Sequence, residues 1–517
     1  CFLNEASDSL AGIVGLWNEN VWLASKGGGI GSYWGNLRSI GEDVSTNGKT
    51  SGIIPFIRVM DSQTLAISQG SLRRGSAAVY LPISHPEIEE FIEIRRPTGG
   101  DPNRKALNLH HGVSVSNAFM RAVEADDEWP LTSPHDGAVQ KTVGARELWI
   151  RILTARIETG EPYILNIDHV NDATPEHHKI AGLAVKTSNL CCEITLPTGI
   201  DHLGEQRTAV CCLSSINLEK YDEWKDDDLF IEDMMRFLDN VLQDFIDRAP
   251  DTMSRAKYAA MRERSVGLGA MGFHSFLQDR MIPFESVMAQ VWNKKIFNHI
   301  KVGVDKASVK LAHEKGACPD AADYGMMERF SNKTAIAPTA SISTICGGAS
   351  PGIEPIAANS YTQKTLSGSF NVRNRALKIL LEEKGKNTEE VWSAITINGG
   401  SVQHLDFLDD LEKDEFKTAF ELDQRWVVEH SADRAPMVDQ AQSVNVFLPA
   451  DVNKRDLHQV HYQAWKKGLK SLYYCRSLSI QRAESSDTSS EGAKEEMLKA
   501  MAKAQESSDY EECLSCQ

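Results

Sequence analysis

The chain has 517 residues, 41% hydrophobic and 25% charged, which is ordinary globular composition and enough for one large core or two to three domains. Its net charge of −17 argues against a nucleic-acid-binding surface, so any phosphate ligand needs a local site. Neither a membrane span nor a secretory leader is found, so a cytoplasmic protein with reduced cysteines is expected.

Two glycine-rich stretches mark the first 80 residues. Lys26–Gly31 allows close approach of the backbone to a ligand, although a plain turn explains it equally well. Ser68–Ser76 places adjacent arginines between glycines and serines, which suits contact with a phosphate or a base. A solvated loop is the alternative there.

Regular elements dominate residues 81–315. The apolar spacing predicts helices over Pro86–Arg95, Ala145–Thr159, Leu229–Ile246 and Asn293–Lys315, and a buried strand at Tyr163–Asp168. The small residues of Ser265–Gly272 suit close packing at a strand–helix junction. The pair His110–His111 suggests metal ligands only weakly, because adjacent side chains of a strand point to opposite faces.

The stretch Asn189–Glu193 reads Asn-Leu-Cys-Cys-Glu. If it is extended, Asn189, Cys191 and Glu193 share one face. An amide, a thiol and a carboxylate together suit chemistry on a vicinal diol, in which a sulfur radical takes a hydrogen atom and the carboxylate takes a hydroxyl proton. A buried strand with an inert cysteine pair is the alternative.

A second candidate site is Lys333–Ser343, where a short apolar strand breaks at Pro338 into small hydroxylated residues. That composition is typical of anion binding at a helix start, and equally of a simple N-cap. Beyond it, helices are predicted over Arg373–Lys384 and Phe416–His430, followed by an apolar strand over Gly468–Cys475.

Two features close the chain. Tyr473 and Tyr474 are adjacent in that strand, where packing is the ordinary explanation for aromatic residues. From Ala483 the composition is too polar to fold stably, and this tail ends in Cys513-Leu-Ser-Cys516. A C-x-x-C is half a zinc site or a redox dithiol, and no second C-x-x-C is present to complete a zinc site.

The segments Asn189–Pro197 and Val210–Leu218 resemble the large catalytic subunit of class I ribonucleotide reductases, and matching segments run along essentially the whole chain. The resemblance implies an α/β fold built on a ten-stranded barrel over residues 1–482, with Cys191 on an interior loop, and a flexible tail over 483–517. The helical region and ATP cone that this family often carries ahead of Cys1 have no counterpart in the sequence.

The resemblance also implies a role for each of several residues. It makes Cys191 the thiyl, Glu193 the base, Asn189 the substrate-orienting amide, Cys1 and Cys211 the reducing pair, Tyr473 and Tyr474 the radical relay, Cys513 and Cys516 the tail reductant, Gly29, Thr339, Ala340, Ser341 and Ser343 the substrate-binding residues, and Asp8 and Arg38 the effector-binding residues at a dimer interface. Some members of the family carry a carboxylate where this chain has Ala340, so the role of that carboxylate side chain is absent here.

The implied reaction is 2′-reduction of ribonucleoside diphosphates. The implied partners are a small radical-generating subunit that holds the metal, thioredoxin or glutaredoxin, a second copy of the chain and an allosteric nucleoside triphosphate, with no metal bound by the chain itself. Two alternatives stay open: a carboxy-terminal fragment of a split or spliced reductase, inactive without a separate amino-terminal piece, and a cobalamin-dependent reductase. The adjacent tyrosines argue against the second, which needs no relay.

Overall fold

The computed structural model describes residues 1–44, 48–69, 73–365, 368–449 and 451–477. The predicted tail, with Cys513 and Cys516, lies outside these ranges, as do residues 70–72 of the Ser68–Ser76 loop. Within the described residues, no helix has both the length and the apolar character needed to span a membrane.

The strands and helices have the following bounds. The strands are β1 Phe2–Glu5, β2 Ile30–Tyr33, β3 Ser68–Gln69, β4 Arg73–Arg74, β5 Ala77–Pro82, β6 His110–Val115, β7 Glu128–Thr132, β8 Val139–Gly144, β9 Tyr163–Asn166, β10 Gly199–Ile200, β11 Gln206–Arg207, β12 Ala209–Val210, β13 Cys212–Asn217, β14 Val266–Met271, β15 Ser360–Thr365, β16 Gly368–Arg373, β17 Val446–Leu448, β18 Ser471–Leu472 and β19 Cys475–Ser477. The helices are α1 Leu10–Ser25, α2 Ile54–Ala66, α3 Ile88–Ile92, α4 Asn117–Ala125, α5 Ala145–Thr159, α6 Ile167–Asp172, α7 Glu176–Ile180, α8 Tyr221–Trp224, α9 Phe230–Arg248, α10 Ser254–Glu263, α11 Phe273–Gln278, α12 Val287–Lys315, α13 Pro319–Ala322, α14 Ala340–Ile345, α15 Arg375–Glu383, α16 Glu389–Ile397, α17 Asp410–Glu415, α18 Gln424–Arg434 and α19 Lys454–Lys466.

A curled sheet of seven strands, in the order β12-β1-β2-β5-β6-β9-β18, forms one side of the core. Strands β1, β2, β5, β6 and β9 run parallel to one another. At both edges of this parallel set the direction reverses, because β12 pairs antiparallel with β1 and β18 pairs antiparallel with β9. The two antiparallel pairings therefore separate the five parallel strands from one edge strand of opposite direction on each side.

The other side of the core closes the sheet into a barrel. The chain continues from β12 into β13, which pairs parallel with β14, and from β18 into β19, which pairs parallel with β17. Parallel bridges from Leu268 to Thr334 and from Ile336 to Gln442 join these two pairs. The described strands and bridges therefore complete the ten-stranded α/β barrel that the resemblance implies.

The period of two along each strand separates the barrel interior from the helical layer. In β1, Leu3 packs inward with Ile194 and Leu196, whereas Phe2 packs outward in the main core with the helices. Ala78 and Tyr80 of β5 face the interior by the same alternation. Buried apolar residues on both sides of the strands thus form two concentric layers of core.

The predicted elements are confirmed for the long periodic segments. Helix α5 spans Ala145–Thr159 as predicted, and α9 runs from Phe230 to Arg248. The predicted strand–helix junction at Ser265–Gly272 is formed by β14 and α11. Helix α12 begins at Val287, six residues before the predicted start. The predicted helix over 416–430 is wrong in its first half, since residues before Asp423 form turns and Asp423 caps α18 through a bond to Arg425.

Candidate active site

The segment from Ser188 to Ile194 crosses the inside of the barrel. Tyr80 of β5 donates its hydroxyl hydrogen to the Asn189 carbonyl oxygen at 2.7 Å, and the backbone N–H of Ala441 donates to the Glu193 carbonyl oxygen at 2.9 Å. Tyr80 and Ala441 lie on opposite halves of the barrel. All side chains from Ser188 to Ile194 are buried, so this segment is the centre of the barrel interior.

Residues Asn189–Glu193 are not extended: they form a turn, in keeping with the interior loop that the resemblance implies, and Cys192 adopts a left-handed conformation with φ 68°. The physical reason is the Asn189 side chain, whose Oδ1 accepts the backbone N–H groups of Glu193 and Ile194 at 3.0 and 3.1 Å. An asparagine that satisfies its own following backbone competes successfully with a strand ladder. The turn, not strand alternation, groups the amide, the thiol and the carboxylate.

Glu193 is completely buried, and burial raises the pKa of its carboxyl group to about 7. Its Oε2 lies 3.1 Å from the Ser443 hydroxyl, while Oε1 has no hydrogen-bond partner among the described residues. A carboxyl group with this pKa exchanges protons near neutral pH. The partnerless oxygen leaves one position open for a proton from a bound molecule.

Cys1 and Cys211 face each other across the β1–β12 pair. The backbone N–H of Cys211 donates to the Cys1 carbonyl, the Cys1 nitrogen donates to the Cys211 carbonyl, both at 3.1 Å, and the neighbouring register pairs Phe2 with Val210. Such directly opposed residues have Cα atoms roughly 5.5 Å apart, within the range of about 4.4–6.8 Å that a disulfide spans. Cys211 is a free thiol and Cys1 takes part in a disulfide, so the two sulfurs are not joined to each other here.

The two predicted relay tyrosines lie beside the central cysteine. The Tyr473 hydroxyl is 3.6 Å from the Cys191 sulfur, and the rings of Tyr473 and Tyr474 have centroids 4.2 Å apart. The predicted continuous strand is interrupted here, because the Asn445 side chain accepts the Tyr474 backbone N–H at 3.0 Å between β18 and β19. This interruption lets adjacent residues join the same interior cluster, which an unbroken strand would prevent.

Tyr163 and His110 extend the aromatic group. The Tyr163 ring centroid lies 4.8 Å from that of Tyr473 and 5.2 Å from that of Tyr474. The Tyr474 hydroxyl is 3.3 Å from His110 Nδ1, which is itself 2.6 Å from a carboxylate oxygen of Glu161. The cluster is therefore a buried aromatic stack that ends at the hydrogen-bonded pair of His110 and Glu161.

The histidine pair contacts one carboxylate. His111 Nδ1 lies 3.1 Å from Glu161 Oε2, so both histidines of the pair reach Glu161 although they are adjacent in sequence. The positive charge of Arg95 and the two imidazoles hold the pKa of the Glu161 carboxyl far below its usual value despite burial. Within the described residues, no cluster of three or more His, Cys, Asp or Glu side chains has the arrangement of a metal site.

The predicted substrate-binding residues lie at the end of the strand segment that contains Ile336. Thr339 is left-handed, with φ 56°, is buried, and accepts the Gly352 backbone N–H through its hydroxyl oxygen at 2.7 Å. Ser343 is buried and Ser341 half-buried in the short helix α14, which begins at Ala340. Gly29 is buried, and its carbonyl accepts the Phe2 backbone N–H at 2.9 Å.

The predicted effector residues contact each other near the start of α1. Arg38 donates from Nε and Nη2 to the Asp8 carboxylate at 3.0 and 2.9 Å. His135 Nδ1 lies 3.3 Å from the same carboxylate. The arginine hydrogen bonds hold the pKa of Asp8 below its usual range although burial opposes them. The structure thus brings the two predicted residues together as a partly buried ion pair.

Three residues at the centre of the barrel are not among the site residues predicted from the sequence. Tyr163 was assigned only to a buried strand, and Gln440 and Ser443 were not singled out at all. The Gln440 amide contacts the Cys211 sulfur, and the Ser443 hydroxyl contacts the Cys191 carbonyl oxygen at 2.6 Å. The available signal was the polar Asp-Gln-Ala-Gln-Ser run inside an otherwise apolar strand region, where burial of polar groups requires specific partners.

The closed barrel with a buried cysteine on an interior turn is the architecture of the ribonucleotide reductase barrel. The family model described as "Ribonucleotide reductase, barrel domain" matches residues 1–324 and 320–475. A chain of Frog virus 3 assigned as the ribonucleoside-diphosphate reductase large subunit is 46% identical, covering 92% of this chain and 82% of the relative. The chain therefore belongs to the large-subunit family of class I ribonucleotide reductases.

Further relatives agree. The ribonucleoside-diphosphate reductase large subunit of Invertebrate iridescent virus 3 is 42% identical, with 93% of this chain and 83% of the relative covered. The solved structure of the Actinobacillus ureae class Id ribonucleotide reductase alpha subunit matches with a TM-score of 0.81 and 35% identity, over 92% of this chain and 83% of that chain. These matches do not favour the hypothesis of a fragment inactive by itself.

Proposed function

We propose that this chain is the catalytic subunit of a ribonucleoside-diphosphate reductase and replaces the 2′-hydroxyl group of its substrate by hydrogen. The observation that carries the proposal is the 3.6 Å contact between the Tyr473 hydroxyl and the Cys191 sulfur, at the end of a stacked tyrosine pair. Burial excludes water from these groups, which protects a radical from side reactions. A small partner subunit supplies the oxidising equivalent.

The first half of the reaction runs through the central turn. Tyr474 and Tyr473 pass the oxidising equivalent to Cys191, whose thiyl radical takes the hydrogen atom from the substrate 3′ carbon. Glu193 accepts the 3′-hydroxyl proton, and a carboxyl pKa of about 7 suits that exchange at neutral pH. Asn189, fixed by the turn, orients the substrate.

The second half needs two further reducing equivalents. The 2′-hydroxyl leaves as water, Cys1 and Cys211 close to a disulfide as two electrons pass to the substrate, and Cys191 returns its hydrogen atom. The cross-strand register of the two cysteines supports this step, because directly opposed residues have Cα atoms at a separation that a disulfide can span. Thioredoxin or glutaredoxin, through the tail dithiol Cys513–Cys516, restores the reduced pair.

Substrate and effector sites complete the proposal. Thr339, Ser341 and Ser343, with the backbone at Ala340 and Gly29, hold the substrate diphosphate. The Asp8–Arg38 pair contributes to recognition of an allosteric nucleoside triphosphate at the interface of a homodimer. The support for the last point is that the two side chains lie together at the barrel surface.

The test is reduction of CDP by this chain with a radical-generating subunit, a dithiol reductant and an effector nucleotide. Cys191→Ser should abolish turnover while CDP binding is retained. Cys192→Ser is the matched control, since it makes the same atomic change one residue along, at a sulfur 4.0 Å from the Ile164 carbonyl and assigned no part in the reaction. Normal turnover of Cys191→Ser, or turnover with adenosylcobalamin and no second subunit, would contradict the proposal.

A further inference from the structure

Each sulfur of the Cys1–Cys211 pair has a carboxamide group beside it. Asn189 Nδ2 lies 3.7 Å from the Cys1 sulfur, and Gln440 Nε2 lies 3.6 Å from the Cys211 sulfur. Gln440 is completely buried and reaches the pair from the opposite half of the barrel. The role proposed above covers Asn189 but leaves Gln440 without one.

The orientation of the Gln440 amide follows from its other partners. Its Oε1 accepts the Thr195 backbone N–H at 3.2 Å, and its Nε2 also donates to the Val266 carbonyl oxygen at 3.1 Å. A flipped amide would face an N–H group with its own NH2 and a carbonyl with its own oxygen. The amide nitrogen is therefore the atom at the sulfur.

The backbone at Gln440 is also held firmly. Its N–H donates to the Thr334 carbonyl oxygen at 3.1 Å, and its carbonyl oxygen accepts a hydrogen bond from the buried Lys470 ammonium group at 2.7 Å. Neither end of the residue is free to move away from Cys211. The donor is thus preorganised before any reaction begins.

We propose that Gln440 is a positioning residue for the reductive half of the reaction, in which its amide donates a hydrogen bond to the Cys211 sulfur as that thiol gives up its proton. The proposal rests on the proposed function. In the step concerned, two thiols lose two protons and two electrons as one S–S bond forms. One proton leaves with the 2′-hydroxyl as water, and the other proton and the two electrons form the new C–H bond at the 2′ carbon.

A donor at this sulfur matters because its surroundings oppose ionisation. Burial raises the pKa of Cys211 far above the usual thiol value. The groups that face it are the amino group of Cys1, the Cys212 thiol and the Glu193 carboxyl. A hydrogen bond favours the anionic sulfur over the neutral thiol, so the Gln440 amide offsets part of the cost of burial.

The geometry also explains which cysteine of the adjacent pair reacts. Cys211 lies in the interior cluster with Leu3 and Ala209, whereas Cys212, one residue along, packs against the outer core. Of these two sulfurs, the Gln440 amide contacts only that of Cys211. The position of the donor therefore matches the position of the reacting thiol.

The experiment measures dCDP formed in a single turnover, by the pre-reduced complete enzyme with its radical-generating subunit and without external reductant, between pH 6.5 and 9. Gln440→Met keeps the volume and removes the donor. We expect a rate near neutral pH about tenfold lower and a profile displaced upward by about one pH unit, since one pH unit corresponds to a tenfold change in thiolate fraction. CDP affinity should stay at the wild-type value.

Gln442→Met is the matched control, because the Gln442 amide is buried and donates instead to the Ser431 carbonyl oxygen at 2.9 Å. Its profile should coincide with the wild-type profile. Gln440→Glu, which preserves shape and the Thr195 contact, provides a second test if the methionine variant folds poorly, and its profile should shift in the same direction. A profile for either Gln440 variant that coincides with that of Gln442→Met overturns the proposal. Failure of the wild-type enzyme to form dCDP would instead count against the proposed function.

Discussion

Replacement of Glu193 by glutamine separates the proposed catalytic role of this carboxyl group from its cost to the fold. In the folded chain the carboxyl pKa is about 7, against 4.5 for an ordinary glutamate, and the first cause is burial. Ionising the group therefore costs the folded state about 3 kcal/mol at pH 8. Glutamine has nearly the same shape and cannot ionise.

The sign of the pH dependence follows from the two pKa values. Below pH 4.5 the carboxyl group is protonated in both folded and unfolded chains, so it causes no loss of stability. Between pH 4.5 and 7 only the unfolded chain loses the proton, so the cost grows with pH and reaches its full value above pH 7. At pH 5.5 the cost is about 1 kcal/mol.

The assay compares urea unfolding of the wild type and Glu193→Gln at pH 5.5 and pH 8. The stability of the variant relative to the wild type should increase by about 2 kcal/mol between these pH values. Any pH-independent cost of seating the new amide beside Ser443 cancels in that comparison. CDP reduction by the variant should fall by roughly 10²- to 10⁴-fold. A stability difference that does not change with pH would refute the reasoning about burial.

Three further predictions follow from other parts of the barrel. Tyr473→Phe should reduce CDP turnover to background with CDP affinity retained, because the hydroxyl 3.6 Å from the Cys191 sulfur is lost; full turnover would rule out the relay. Gly31→Ala should lower turnover at least tenfold in a steady-state assay, because its Cβ would lie 1.8 Å from the Ser188 carbonyl oxygen and force the turn to move; a wild-type rate would contradict that contact. Arg207→Met should destabilise the fold by about 1.5–3 kcal/mol in urea unfolding, since it removes a buried guanidinium that bonds to Asp320 while the Arg262 guanidinium stays on the same carboxylate; an unchanged midpoint would show that the Arg207 contact contributes nothing.

The sequence pattern predicted correctly those elements that are specified by neighbouring residues, such as an apolar spacing along a few helical turns. The helix Ala145–Thr159 was predicted to the residue, because its apolar spacing and the terminal Gly160 are both local features. The strand at Tyr163 was found for the same reason. The turn at Asn189 was indicated by the family resemblance and not by the residue pattern, because a side-chain cap on the following backbone leaves the alternating pattern of the sequence unchanged.

The sequence by itself determined the family and indicated the candidate reacting groups: the Asn-Leu-Cys-Cys-Glu segment, the adjacent tyrosines and the flanking cysteines are all local strings. The tertiary structure alone decided which of them meet. Cys1 and Cys211 are neighbours because β1 and β12 pair in one register, and Gln440 reaches Cys211 only because the ring closes. Register and closure depend on contacts between strands far apart in the chain, and no periodicity within one segment encodes them.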